Sequence, residues 1–406
     1  MIKRELYLKQ IRSLFDTDFV KVIIGMHRCG KTSFLKSIIE ELEENNVNKE
    51  NIIYISFESI KYKNIFTSEQ LDEIILDLTK NLDGKIYLLF DEIQQVQGWE
   101  KSINAYRVDF DSDIYITGSN SKLLSSELAT LLSGRYIKIN LYPFSFKEIL
   151  QYKKEYFNME LTHEIKKNLF KEYIQYGGMP GLQSITDENN KINALRDIYD
   201  SIIIHDVLSR YTIKDVDLFK RFTHYLMNST GQTFSKTSIT NYLKNENRKT
   251  TRNTILNFTN YLEDALFCKR VRRQDILGKK ILKVEEKYYL TDIGFHHALI
   301  DNNNKWIPRI LENIVFNELI RRDYDVKIGK LNKKEIDFLC QKHDKKVYIQ
   351  VSYLLDSEET IEREFTPLLK VPDNYDKYVL SMDEFDMSHD GIKHVNIIDF
   401  LLSDEI

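Results

Sequence analysis

The chain has 406 residues, too many for one ordinary hydrophobic core, so roughly two to four domains are expected. With 42% hydrophobic and 30% charged residues and a formal charge of −4, it reads as a soluble protein without a global attraction for polyanions; a nucleic-acid contact would have to be a local patch. Its three cysteines, Cys29, Cys268 and Cys340, are far apart, which argues against a disulfide framework and a zinc site. No segment has a signal-like apolar region or approaches the roughly 20 apolar residues of a membrane span, so the expected location is the cytoplasm, away from the membrane.

The first element is an apolar strand, Phe19–Ile24, followed by Gly25-Met-His-Arg-Cys-Gly-Lys-Thr32 and a helix with Phe34, Leu35, Ile38, Ile39 and Leu42 at helical spacing. The loop fits G-x-x-x-x-G-K-[ST], which places it at a helix N-terminus, where unpaired amides and the dipole favour phosphate oxygens. Residues Gly25, Met26, His27, Arg28, Cys29, Gly30, Lys31, Thr32 and Ser33 are therefore the expected ATP-binding segment. Lys31 would supply a mobile positive charge and Thr32 a hydroxyl for Mg²⁺.

After a strand at 51–57, the run Lys85–Phe90 ends in Asp91-Glu92, as a central parallel strand does when it delivers acids to the carboxyl edge of a sheet. Asp91 is expected to hold Mg²⁺ through water, and Glu92 to orient or deprotonate the attacking water. The next strand, Asp113–Asn120, ends in small polar residues. Asn120 is the candidate for sensing the γ-phosphate, with Thr117 and Ser119 as rivals and a plain turn as the alternative. Arg135, directly before a strand at 136–141, is either an arginine that reaches a neighbouring subunit's nucleotide or a surface ion-pair partner.

Residues 143–216 carry helical periodicity interrupted by Gly177-Gly178 and Pro180-Gly181, and read as a helical lid. In 217–303, three helices are followed by a hairpin, Cys268–Ile276 and Ile281–Leu290, the layout of a winged helix. Its basic residues Lys269, Arg270, Arg272, Arg273, Lys279 and Lys280 are candidates for DNA phosphate contact; a module that binds protein is the alternative.

Residues 304–406 open with a helix bearing Glu312, followed by three strands at 324–328, 335–339 and 346–353. Metal-dependent nucleases of the restriction-endonuclease type place an acid on such a helix, an Asp on the second strand and an acid-x-Lys triplet on the third. The matching positions are Glu312, Asp337 and Gln350-Val351-Ser352, in which one acid and the lysine are missing, so an inactive nuclease fold is expected.

The phosphate loop, Leu88–Glu92, Thr117–Asn120, Ser133-Gly-Arg135, Tyr142–Glu148 and Tyr176–Gly181 together resemble a large group of prokaryotic AAA-like ATPases with a winged helix and a C-terminal nuclease-like domain. The resemblance covers nearly the whole chain. It implies an α/β, AAA-type P-loop NTPase core (1–142) with a parallel sheet and helical lid, followed by a winged helix and a small restriction-endonuclease-like α/β domain. The expected activity is ATP hydrolysis that drives a conformational change, on DNA or a protein partner and as a homo-oligomer. A nucleotide-switched binding module with little turnover and a metal-dependent nuclease are the alternatives.

Overall fold

A computed structural model describes residues 2–120, 132, 134–245, 250–278, 281–300 and 304–405. The chain divides into two compact units: Met1–Pro143 with Asp264–Leu266, and Phe144–Glu263 with Phe267–Ile406.

The first unit is built on five parallel strands: β1 (Val20–Ile24), β2 (Ile52–Ser56), β3 (Ile86–Asp91), β4 (Ser112–Gly118) and β5 (Tyr136–Asn140), in the order β2-β3-β4-β1-β5. The central strands β1 and β3 are buried at every position, which explains their continuous apolar sequences: helices cover both faces of a parallel sheet. One face packs Phe57, Leu88, Phe90 and Trp99, the other Phe34, Leu35, Leu89 and Tyr115. Lys21 on β1 is fully buried, with its Nζ 2.5 Å from Asp113 Oδ1 on the neighbouring β4, so this buried charge is matched by a counter-charge. Because the strands are parallel, the segments after β1, β3 and β4 all emerge at one sheet edge.

The second unit begins with helices Phe146–Phe157, His163–Tyr176 and Glu188–Ser201, the last running into a π-helical turn at Ile202–Leu208. The first is capped reciprocally by Ser145 and Glu148. Gly177 and Gly178, conspicuous in the sequence, serve close packing: a methyl at Gly177 would lie 1.8 Å from Asp292 Oδ1, and Asp292 accepts the N–H groups of Gly178 and Gly294 at 2.8 Å each. Burial pushes the Asp292 carboxyl up to about 6, although those two N–H donors oppose the shift.

Helices Val216–Asn228, Lys236–Asn245 and Arg252–Asp264 precede the hairpin β7 (Cys268–Asp275) and β8 (Ile281–Leu290). The hairpin does not stand apart as a wing. With β6 (Thr233–Phe234), it continues into β9 (Asp325–Leu331), β10 (Lys334–Lys342), β11 (Lys345–Val351), β12 (Asp376–Ser381) and β13 (Lys393–Asn396) as one eight-stranded sheet. The join is a parallel β7–β9 pairing in which Arg273 faces Ile328. One sheet thus crosses the expected division at 303/304.

Helix Ile307–Arg321 is buried over most of its length, and its Asn313 acts as a backbone surrogate for the end of β8: it accepts from Leu290 N at 2.9 Å and donates to Leu290 O at 2.8 Å. Helix Glu358–Leu369 follows β11, capped by Ser357, and is absent from the elements expected from the sequence. No helix among the described residues is long and apolar enough to cross a membrane.

Candidate functional site

At the carboxyl edge of the first sheet the chain turns from β1 into helix Lys31–Glu44 through residues 25–30. Gly25 must be glycine because a methyl there would lie 2.4 Å from the Leu141 carbonyl oxygen and 2.5 Å from Cys29 Sγ. Arg28 (φ 63) and Gly30 (φ 101) take left-handed backbone conformations, which curl the loop into the helix N-terminus. Met26 and Cys29 are buried beneath the loop, His27 is half-buried, and Arg28 and Ser33 are exposed. Burial pushes the Cys29 thiol up, so it is a packing group here.

Lys31 is almost fully buried, and its ammonium lies 3.1 Å from Glu92 Oε1 while donating to the carbonyl of Gly25 at 3.1 Å and of Met26 at 3.4 Å. Asp91, the last residue of β3, accepts three hydroxyls: Thr32 at 2.7 Å and Tyr54 at 3.2 Å on Oδ2, and Thr117 at 2.7 Å on Oδ1. Thr117 Oγ1 also accepts the Glu92 N–H at 2.9 Å. That bond holds Glu92 in a left-handed conformation (φ 59, ψ 48) that a non-glycine residue rarely adopts. Burial pushes the Glu92 carboxyl up, but Lys31 and the Gln94 amide, which donates at 2.5 Å, outweigh it and hold the group below the usual range. The acid is therefore an anion whose charge is committed to the loop lysine.

Of the three polar candidates at the end of β4, Thr117 bonds to both Asp91 and the Glu92 backbone. Asn120 is buried at the same edge, two residues past the strand. The sequence offers Thr117 only as a rival and does not single out Tyr54: a tyrosine in an apolar strand looks like core, and only the register beside β3, where Tyr54 pairs with Leu89, brings its hydroxyl to Asp91. Arg135 is exposed and directly precedes β5, at the edge where β1 begins, since Val20 pairs with Tyr136. Five strand residues of roughly 3.3 Å each separate that edge from the phosphate loop. Ser133 lies outside the described residues.

In the second unit the expected nuclease positions Glu312, Asp337 and Gln350 do come together, as a set of closed partnerships. Glu312 Oε1 accepts Tyr289 OH at 2.5 Å and Lys287 Nζ at 2.9 Å; Lys287 also reaches Glu335 at 2.8 Å, and Arg273 lies 3.3 Å from the other Glu335 oxygen. Asp337 Oδ2 accepts Val351 N at 2.9 Å, while Gln350 accepts the Asp337 N–H and donates to Glu364, both at 2.8 Å. Burial and the nearby Glu312 push the Asp337 carboxyl well above the usual range, partly opposed by Lys287. Lys346, four residues before Gln350, turns instead to Asp373 at 3.0 Å.

The cation that bridges Glu312 and Glu335 is Lys287, which the nuclease pattern does not include because it comes from β8, ahead of the helix that carries Glu312. The alternation of Lys287 with Tyr289 in a strand was the available signal. The expected basic wing needs correction on the same grounds. Arg273 is buried against Glu335, and Arg270 is shared between Glu263 (3.3 Å) and Glu286 (3.9 Å), so neither is an open phosphate contact. Lys269 and Arg272 are exposed; Lys279 and Lys280 lie outside the described residues.

An AAA domain model matches residues 17–150, and a model for a domain of unknown function matches 167–305. An uncharacterized protein of Haemophilus influenzae is 40% identical over 99% of both chains. The chain belongs to a family of prokaryotic AAA-like P-loop ATPases. A second member, an uncharacterized protein of Methanocaldococcus jannaschii, is 36% identical over 90% of this chain and 80% of its own. The fold is similar to that of the Walker-type ATPase PABY2304 of Pyrococcus abyssi, with a TM-score of 0.51 at 15% identity, over 74% of this chain and 96% of the other.

Proposed function

We propose that this family member binds Mg-ATP at residues 25–33 and hydrolyses it, using Asp91 and Glu92 as its acids. The observation that carries this reading is the linked set Thr32–Asp91–Thr117–Glu92–Lys31 at one sheet edge, in which each acid is bonded to a loop residue and to its neighbour's support. Mg²⁺ fits the donor set, a carboxylate beside a hydroxyl, and would supply charge neutralisation for the phosphates. Lys31 would exchange Glu92 for phosphate oxygens, and Glu92, released from its ion pair, would accept the proton of the attacking water. Thr117 keeps both acids aligned during that exchange. Arg135 sits at the edge away from its own phosphate loop, which favours a role toward a second copy of the chain.

Conversion of this cycle into movement of the second unit is the proposed use of the energy. Whether the unit works on DNA or on a protein turns on Lys269 and Arg272, since the charges of Arg270 and Arg273 are spent internally. We assign no nuclease step to Glu312 and Asp337, because Lys287 holds Glu312 Oε1, Lys287 and Arg273 hold both Glu335 oxygens, and the β11 backbone donates to Asp337 Oδ2. The test is steady-state ATP hydrolysis by the full chain and by Glu92→Gln, which keeps the shape and removes the base. The expected rate loss is about 10²–10⁴-fold with nucleotide binding retained; an unchanged rate overturns the assignment of Glu92.

A further inference from the structure

Away from both carboxylate sites, the second unit contains a cavity of about 550 Å³. It is lined by helices His163–Tyr176 and Gly294–Leu299, the start of helix Ile307–Arg321, and the segments that follow β11, β12 and β13. Its size falls in the range of about 300–1,000 Å³ that takes small organic ligands. The walls are mainly apolar, with Phe170, Ile174, Ile310 and Ile398 providing alkyl and aryl surface and Trp306 packed edge-on against His296 at 5.1 Å.

The charges lining the cavity are few and unequal. Lys167 is paired with Glu384, whereas Lys171, one helical turn further on, has no ion-pair partner among the described residues. Two lysines and one glutamate leave one positive charge, enough for a single anionic head and too little for a polyphosphate. His296 is buried, its Nε2 has no hydrogen-bond partner among the described residues, and burial pulls its imidazole down to about 4, so it adds a neutral polar wall and no charge. A second cavity of about 190 Å³ shares Lys167, Met382, Glu384 and Ile398 with the first. The Lys167–Glu384 pair therefore stands where the two spaces adjoin, and an exposed pair of this kind is held weakly and opens easily.

We propose that this cavity binds a small amphipathic monoanion, an alkyl or aryl body with one carboxylate, its head at Lys171 and its body against Phe170, Ile174 and Ile310. The site shares no residue with the proposed nucleotide site, and the inference does not rest on ATP hydrolysis.

Decanoate, decanol and decyltrimethylammonium added to the full chain, followed by titration calorimetry, test the assignment. Trp306 fluorescence in a Trp99→Phe background gives a second readout, because Trp99, the other tryptophan, is buried in the first unit. Decanoate is expected to saturate at one molecule per chain and to perturb Trp306, with decanol and the cation weaker by about tenfold or more. Lys171→Glu, a change at an exposed side chain, should weaken decanoate by a similar factor and leave decanol unchanged; Ile174→Trp should abolish binding by filling the cavity. Equal affinity for decanol and decanoate, no effect of Lys171→Glu, or no saturable binding overturns the proposal.

Discussion

The molecule contains two clusters of acids on sheets, and they are built in opposite ways. At the phosphate loop, Asp91 is held by three hydroxyls and Glu92 by a threonine and an amide, with Lys31 as the one cation bonded to the pair among the described residues. Hydroxyls orient the Asp91 carboxylate without cancelling its charge, so that charge stays available to a metal ion, while the Glu92 charge is held by Lys31, a mobile partner. At Glu312 and Glu335, ammonium and guanidinium groups cancel the charge, while Asp337 Oδ2 accepts a backbone N–H and Gln350 accepts the Asp337 N–H. Two similar sets of acids thus differ in what surrounds them: one is poised for exchange, the other is a joint between the hairpin and the strands beyond it.

The largest effect is expected at Lys287. Burial disfavours its charge, but Glu312, Asp337 and Glu335 outweigh that and raise the group above its ordinary range. Lys287→Met should therefore destabilise the protein by about 3–5 kcal/mol, the scale for leaving buried charges without their partner. Urea unfolding measures this; Glu312→Gln added to Lys287→Met should recover part of the loss, and a loss below about 1 kcal/mol would mean that the cluster is not a structural joint.

Lys31→Ala should behave in the reverse sense, with modest change in the ligand-free protein and a large change in its response to ligand. Mg-ATP at about 100 times Kd adds roughly 2.7 kcal/mol to a protein that binds only in the native state. Thermal melts with and without Mg-ATP should show that gain in the parent chain and none in the variant. A gain retained in Lys31→Ala would remove the phosphate-loop assignment.

A smaller effect sharpens the picture at Asp337. Its carboxyl titrates higher when folded than when unfolded, so between those two values the native state holds the extra proton. Stability from this group is full below the unfolded value and is lost as pH rises through the folded one. Asp337→Asn, which keeps an acceptor for Val351 N, should be the more stable protein at neutral pH, and its advantage should shrink in melts at progressively lower pH. An advantage that grows with acidity would contradict the buried, proton-retaining carboxyl.

The smallest expected effect separates two neighbouring arginines. If the hairpin touches DNA, Arg272→Glu should reduce the slope of log affinity against log salt by up to about one unit for the phosphate that Arg272 neutralises, equally for unrelated sequences. Arg273→Glu should instead lower the melting temperature through its clash with Glu335. Binding measured by fluorescence anisotropy over a salt series distinguishes them; an unchanged slope in Arg272→Glu points the hairpin toward protein.

The legible parts of this protein are those whose causes are local in sequence. An apolar run, a glycine loop, a lysine and a helical stripe lie within 25 residues of each other, so the phosphate loop and its flanking elements could be read directly, as could Asp91-Glu92 at the end of a buried strand. Helix Glu358–Leu369 also had local signals, Ser357 as its cap and Ile361, Phe365 and Leu368 at helical spacing, but Pro367 near its end obscured them. Tertiary structure alone decided which groups meet. Tyr54 and Thr117 converge on Asp91 through strand register, and Lys287 enters a cluster whose acids lie 25 to 50 residues away along the chain. Arg273, a basic residue in a hairpin where exposure would be expected, is buried because that hairpin pairs with β9 and continues the sheet. Residue type and spacing determine what a segment can form; whether its charge remains available depends on counter-charges delivered from distant strands, and no local pattern encodes those.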